Sequence, residues 1–427
     1  MLFALPSLGC NATASATSAN RSHACPIVGD VRDRSPNTRT LARMSPGQGR
    51  PATDLELVQG GVGAPSRAQR PRILHVVAEP YDLVVLAPVV HAVAAYDAAR
   101  QLLVHTGLPD ELPSDLVTDL PRGTDTVHLG VVPGSDAEET ARVLLAFDRL
   151  LVEEQPAVVV VAGDATSALA CALTATKLGF ALARVDAGLR CEDWGRPEEI
   201  NRSLLDRLSD TLFVHDGESQ RILLEEGVPG ERIYTTGNTL ADSVRRCEPH
   251  ARELRTWERY GLPEGRYVLV ALRAAGYASA SSRLPVTARA LAELAQSVAV
   301  VVTADERTSA RLDWFARATS GVQTVDVATY VERLALALAA GAIMTDSGPV
   351  QDEASLLGVA CLTLGPHTER RGTLMRGTNA LLGDDPAVLA AVRPRPRVVP
   401  YIADAASPAG ERVADALIAH YVLRAAM

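Results

Sequence analysis

Aromatic side chains are scarce in this chain: Phe, Trp and Tyr together make up 4% of its 427 residues. Its core must therefore be packed from Ala, Val and Leu, and a hydrophobic share of 47% supplies them. Long hydrophobic runs are also missing. None reaches the roughly 20 apolar residues that span a bilayer, so no membrane association is expected. Basic charge is not in excess. A formal net charge of -9 offers no electrostatic footprint for nucleic acid. Paired cysteines are absent too: Cys10, Cys25, Cys171, Cys191, Cys247 and Cys361 are scattered, with no C-x-x-C and no histidine at ligand spacing. They predict reduced thiols in a cytoplasmic protein, without disulfides, metal or cofactor.

Residues 1–70 are rich in Ser, Thr, Pro, Gly, Ala and Arg and show no sustained apolar period. They cannot bury enough surface to offset ordering entropy, which predicts a disordered extension. Leu2 to Leu8 is a short apolar run, but it lacks the basic flank of a secretory signal.

From Arg72 the pattern becomes regular. Arg72 to Val77 reads as a buried strand and Leu83 to Ala99 as a helix. Apolar runs recur at Val158–Val161, Ala181–Val185, Leu212–Val214 and Ile233–Tyr234, and again at Tyr267–Val270, Val298–Val302, Val322–Val325, Ala342–Met344 and Ala360–Leu364. Strands alternating with helical segments predict an α/β fold of two Rossmann-like domains, 71–244 and 245–405, facing a cleft. The apolar stretch Glu411 to Leu423 predicts a terminal helix within 406–427.

Ordered motifs sit after several of these strands. They are Gly163-Asp164-Ala165-Thr166, Asp186-Ala187-Gly188-Leu189-Arg190, Pro197-Glu198-Glu199-Ile200-Asn201-Arg202 and Thr236-Gly237-Asn238-Thr239 in the first half. Thr345-Asp346-Ser347-Gly348-Pro349-Val350-Gln351-Asp352-Glu353 and Thr368-Glu369-Arg370 follow in the second. Their order and spacing resemble the non-hydrolysing UDP-N-acetylglucosamine 2-epimerases, over about Arg72 to Leu382. The resemblance implies a GT-B-like fold, with the terminal helix crossing back to the first domain. It also implies C2 epimerisation of UDP-GlcNAc to UDP-ManNAc by elimination and re-addition of UDP, with Asp164, Asp186 and Glu198 at the catalytic carboxylate positions. Opposed acid and base groups are what such proton exchange requires. By the same resemblance Arg190, Arg202, Arg273, Ser347, Gly348, Glu353 and Arg370 would contact the UDP-sugar, with Glu353 on the uridine ribose. Read singly, each carboxylate is equally a helix N-cap or a solvated charge, and Arg190 and Arg202 are equally structural ion-pair partners.

Several positions depart from the family pattern. Asp186 stands where the family has glutamate, and Arg273, which cannot exchange a proton near neutral pH, where it has histidine. Ala274-Ala275-Gly276-Tyr277 replaces Arg-Arg-Glu-Asn. Ala78-Glu79-Pro80-Tyr81-Asp82-Leu83-Val84-Val85 lacks the arginine and lysine of the first strand-to-helix turn, and Leu108-Pro109 replaces a Gln-His pair. Pro349 removes a backbone donor beside Gly348, and His367 is a candidate substitute acid or base. These changes predict a catalytically impaired subunit, a pseudoenzyme-like member working in a hetero-oligomer with an intact homologous epimerase subunit. The Ala/Arg/Val-rich composition suggests a high-GC bacterium and a place in aminosugar antibiotic biosynthesis. The alternatives are a self-sufficient epimerase acting on an altered UDP-sugar, or a GT-B glycosyltransferase.

Overall fold

The computed structural model describes residues 70–108, 111–132, 134–272, 284–303, 320–383, 385–400 and 407–423. Residues 1–69, with Cys10 and Cys25 and most of the stretch expected to be disordered, lie outside the described residues, as do Pro109 and the Arg273 to Tyr277 substitutions.

Among the described residues, thirteen parallel strands form two sheets. The first is ordered β3-β2-β1-β4-β5-β6-β7 and the second β10-β9-β8-β11-β12-β13. In the first lobe these are β1 (Arg72–Val77), β2 (Arg100–His105), β3 (Thr124–His128), β4 (Val158–Val161), β5 (Leu182–Ala187), β6 (Thr211–Val214) and β7 (Ile233–Thr235). The second lobe holds β8 (Tyr267–Ala271), β9 (Ala299–Thr303), β10 (Val322–Val325), β11 (Ala342–Thr345), β12 (Cys361–Leu364) and β13 (Asn379–Gly383). Each is a doubly wound sheet whose strand order reverses once, between β1 and β4 and between β8 and β11. In such sheets the crevice beyond the carboxyl ends at the reversal is where ligands bind. Both sheets belong to one compact unit.

The central strands carry continuous apolar runs because helices cover both faces. Val158 to Val161 in β4 and Tyr267 to Val270 in β8 are fully buried. The helices are α1 (Pro80–Ala95), α2 (Ser114–Asp119), α3 (Asp136–Glu154), α4 (Thr166–Lys177), α5 (Pro197–Leu208), α6 (Gly217–Glu225) and α7 (Thr239–Leu254). They continue with α8 (Thr256–Arg259), α9 (Leu284–Leu294), α10 (Tyr330–Ala339), α11 (Gly348–Leu357), α12 (Arg371–Met375), α13 (Pro386–Ala390) and α14 (Ala409–Leu417). Helix α7 joins the lobes, packing on α1 and α14 on one side and on α10 and α11 on the other. One apolar cluster accordingly runs from Ile73 and Leu86 through Val244 and Cys247 to Leu334 and Ile343.

Helix α1 spans Pro80 to Ala95 and not 83–99. Pro80 opens it, where a missing N–H costs nothing. Pro88 inside the helix removes the donor that Val84 would have used. Ser243 of α7 fills that gap, donating its hydroxyl to the Val84 carbonyl at 2.6 Å. Gly410 of α14 lies against the same proline: a Cβ there would sit 2.8 Å from Pro88. Asp242 accepts from the Gly410 amide at 2.8 Å, so the terminal helix rests on α1 and α7. A short π-helical turn, Ile418–Val422, continues it.

Cys171, Cys191, Cys247 and Cys361 are unpaired and buried. Burial raises each thiol, Cys247 to about 11 and Cys361 to about 12.

Candidate active site

A narrow cleft lies where the two reversal points face each other. The first lobe lines it with Glu79, Tyr81 and Asp82 after β1, Gly163 and Asp164 after β4, Arg184 and Asp186 on β5, and Arg202 on α5. Ser347, Pro349, Glu369 and Arg370 come from the second. Asp164 and Asp186 therefore meet Ser347, Arg202 and Arg370 in one space, from positions up to about two hundred residues apart.

Asp186 has unusual backbone. It sits at a register shift between Val185 and Ala187, with φ at 63°. A non-glycine residue in the left-handed region is strained, and a bulge re-aims its side chain. That side chain is held by His215 Nε2 and by an Arg370 nitrogen at 3.3 Å. Burial disfavours its ionisation, but the His215 and Arg370 charges outweigh burial and hold the carboxyl well below the usual range. Burial likewise lowers His215, and Asp186 more than reverses this, so the imidazole is raised. Arg370 also reaches Asp352 at 3.2 Å, and Asp352 accepts from Asn238 at 3.0 Å. Asp186 is thus a fixed anion in a charge chain linking the lobes.

Asp164 is ion-paired with Arg202, whose other nitrogens reach Glu199 at 2.8 and 3.1 Å. Glu199 accepts from the amides of Cys191 and Glu192 as well. Arg202 therefore stands at the cleft wall as the brace of Asp164. Fully buried Arg184 pairs with Asp206 at 2.9 Å and donates to the Gly163 carbonyl at 3.3 Å. Gly163 has φ +69°, and a Cβ there would meet Asp82 Oδ1 at 2.2 Å. Asp82 accepts from the amides of Ala78 and Glu79 at 2.9 and 3.0 Å, and burial raises it well above the ordinary carboxylate range.

Two first-lobe expectations fall elsewhere. Arg190 is not at the cleft wall: it binds Asp206 at 2.7 Å and Glu226 at 2.7 and 2.8 Å, behind the Gly188 turn. Glu198 is also outside the lining, its nearest cation being Arg196 at 3.7 Å. The neighbouring Glu199 is the buried member of the pair.

In the second lobe, α11 begins at Gly348 with Ser347 as an N-cap whose side chain caps nothing. Ser347 Oγ is buried without a hydrogen-bond partner, and so is Arg370 Nε. Free helix amides and an aimed guanidinium suit an anion. Glu369 leans over the same spot. A Cβ on Gly348 would lie 1.8 Å from Glu369 Oε1 and 2.9 Å from Arg370 Nε. His367 is exposed on the loop and does not line the cleft.

Glu353 is engaged internally. The resemblance gives it to a ribose, whereas its carboxylate is fully enclosed in an internal cluster. Arg333 donates to both oxygens, at 2.7 and 2.9 Å, Tyr330 to one at 2.9 Å and Tyr81 to the other at 3.2 Å. Sequence reading missed Tyr81 and Arg333 in this role, and missed His215. No local motif marks them; packing of distant elements brings them in.

Among the described residues no group of His, Cys, Asp and Glu could hold a metal ion, and no helix is long and apolar enough to cross a membrane.

The family model described as UDP-N-acetylglucosamine 2-epimerase matches residues 92–395. A UDP-N-acetylglucosamine 2-epimerase of Methanocaldococcus jannaschii is 31% identical over 316 residues, covering 71% of this chain and 86% of the relative. A UDP-2,3-diacetamido-2,3-dideoxy-D-glucuronate 2-epimerase of Pseudomonas aeruginosa is 29% identical over 318 residues, 73% of this chain and 88% of that protein. The crystal structure of Methanocaldococcus jannaschii UDP-GlcNAc 2-epimerase in complex with UDP-GlcNAc and UDP superposes with a TM-score of 0.74. It is 28% identical, and the match covers 82% of this chain and 99% of that one.

Proposed function

The chain belongs to the UDP-N-acetylglucosamine 2-epimerase family, and from that premise we propose that it binds a UDP-sugar in the cleft as a catalytically impaired subunit. Its working form in this reading is a hetero-oligomer with an intact homologous epimerase, in the cytoplasm, serving aminosugar natural-product biosynthesis.

The observation that carries the proposal is the internal engagement of groups the reaction would need. Removing the C2 proton and returning it to the opposite face requires two groups that can change protonation state beside the sugar. Asp186 is instead held as an ion by His215 and Arg370, and Asp164 is engaged by Arg202. A carboxylate pinned far below neutrality is a weak base. Binding is a different matter: the uncapped start of α11, with Ser347 Oγ buried and without a hydrogen-bond partner, supports a diphosphate in the cradle at Gly348, where it would displace the Glu369 carboxylate that lies 3.8 Å from Arg370 Nε. Asp164, Asp186 and Arg202 would then face the sugar.

The test follows C2 proton exchange in deuterium oxide by NMR, with UDP-GlcNAc, for the chain alone and mixed with an intact homologue. The expected result is negligible incorporation alone and turnover in the mixture. Rapid incorporation by the lone, homogeneous chain would overturn impairment and leave a self-sufficient epimerase. Calorimetry finding ADP or GDP tighter than UDP would overturn the ligand.

A further inference from the structure

Glu353 and its partners are drawn from both sides of the cleft. Tyr81 belongs to the first turn of α1 in the first lobe, Tyr330 and Arg333 to α10, and Glu353 to α11. A carboxylate offers about four acceptor positions, and the four donors from Arg333, Tyr330 and Tyr81 fill them. The Arg333 guanidinium lies between two rings, 4.9 Å from the centre of Tyr81 and 5.0 Å from that of Tyr330, an arrangement that favours a desolvated cation.

The four bonds are unequal. Arg333 and Glu353 share one lobe and make a charge-assisted fork, roughly twice as strong per bond as a neutral one. Tyr81 makes the longest bond, at 3.2 Å, and its ring forms part of the cleft wall. Beside it, Asp115 of α2 accepts from the Tyr330 and Val331 amides at 3.2 and 3.0 Å, so the start of α10 is also held from the first lobe.

We propose that Tyr81, Arg333 and Glu353 form a latch between the lobes, with Tyr81 as its releasable bolt. While it is closed, Glu353 has no acceptor left for a ligand hydroxyl. Release of Tyr81 removes one tie between the lobes, beside those of Arg370 to Asp186 and Asp115 to α10, loosens the cleft on that side and frees one carboxylate oxygen toward it. The latch rests on contacts alone, and only its effect on nucleotide rests on the function proposed above.

Spin labels on Leu145→Cys and Met375→Cys, both exposed, report the lobe separation in the full chain carrying Cys10→Ser and Cys25→Ser. Tyr81→Phe keeps the ring over Arg333 and deletes the bolt. Its distance distribution should shift to longer separations than the parent's, and UDP affinity by calorimetry should rise several-fold. Glu353→Gln, which weakens the fork without emptying the site, should open the lobes similarly. Unchanged distributions in both folded variants would overturn the latch. Lobes that open while UDP binds no more tightly would support the latch and count against a nucleotide in this cleft.

Discussion

At the scale of single residues, Asp186 and His215 set a pH window. His215 is raised in the folded protein, so its contribution to stability is full below the unfolded value of 6.5 and is lost as pH rises through the folded one. Asp186 is lowered, so its contribution is full above the unfolded value of 3.8 and is lost as pH falls. The pair therefore stabilises most between about pH 4 and about pH 6.5. Urea unfolding at about pH 5.5 and about pH 9 should show the parent losing more stability than His215→Asn across that interval. Equal losses would remove His215 from the account. Gly348 is a second such position. A methyl group there overlaps the end of the Glu369 side chain, which can swing aside, so Gly348→Ala should leave urea unfolding nearly unchanged while weakening UDP binding by calorimetry.

At the scale of elements, α1 survives an internal proline because α7 supplies the missing donor. Ser243→Ala would leave the buried Val84 carbonyl without a partner, at a cost of about 1–3 kcal/mol in chemical denaturation. A change within error would mean that water replaces the hydroxyl. The fully buried strand β4 is legible in the sequence with the bounds it has, Val158–Val161, and so is Val322–Val325, although β10 is an edge strand with Gln323 and Thr324 exposed. Strands β2, β3 and β13 are not, because Arg100-Gln101, Thr124-Asp125-Thr126 and Asn379 mix polar residues into short runs, and β3 and β13 are sheet edges. The site divides in the same way. Asp164, Ser347 and Gly348 follow strands, and Asp186 lies at the end of one, in recognisable motifs. Tyr81 and Glu353 stand 272 residues apart, and only the packing of α1 against the second lobe brings them together.

At the scale of the whole molecule, the terminal helix returns from the second lobe to pack on α1 of the first and on the connecting helix α7. Val413, Leu417, Ile418 and Val422 are nearly inaccessible, and a side chain of this size contributes about 1.5–3 kcal/mol when fully buried. Deleting residues 407–427 should therefore lower the melting temperature by more than 10 °C or leave the chain insoluble, as differential scanning calorimetry or a solubility assay would show. An unshifted melting transition would make the helix dispensable.

The buried thiols give the chain two clocks of its own. Cys171 lies deep inside the first lobe, whereas Cys247 sits on α7, in the wall shared by both. Under native conditions a thiol reagent reaches each only when its surroundings open, so the two alkylation rates time different events. With Cys10 and Cys25 replaced by serine, Cys247 should react sooner than Cys171, and Tyr81→Phe should quicken the first clock while leaving the second at its global pace. The breathing of the cleft can then be read by mass spectrometry without attaching a probe.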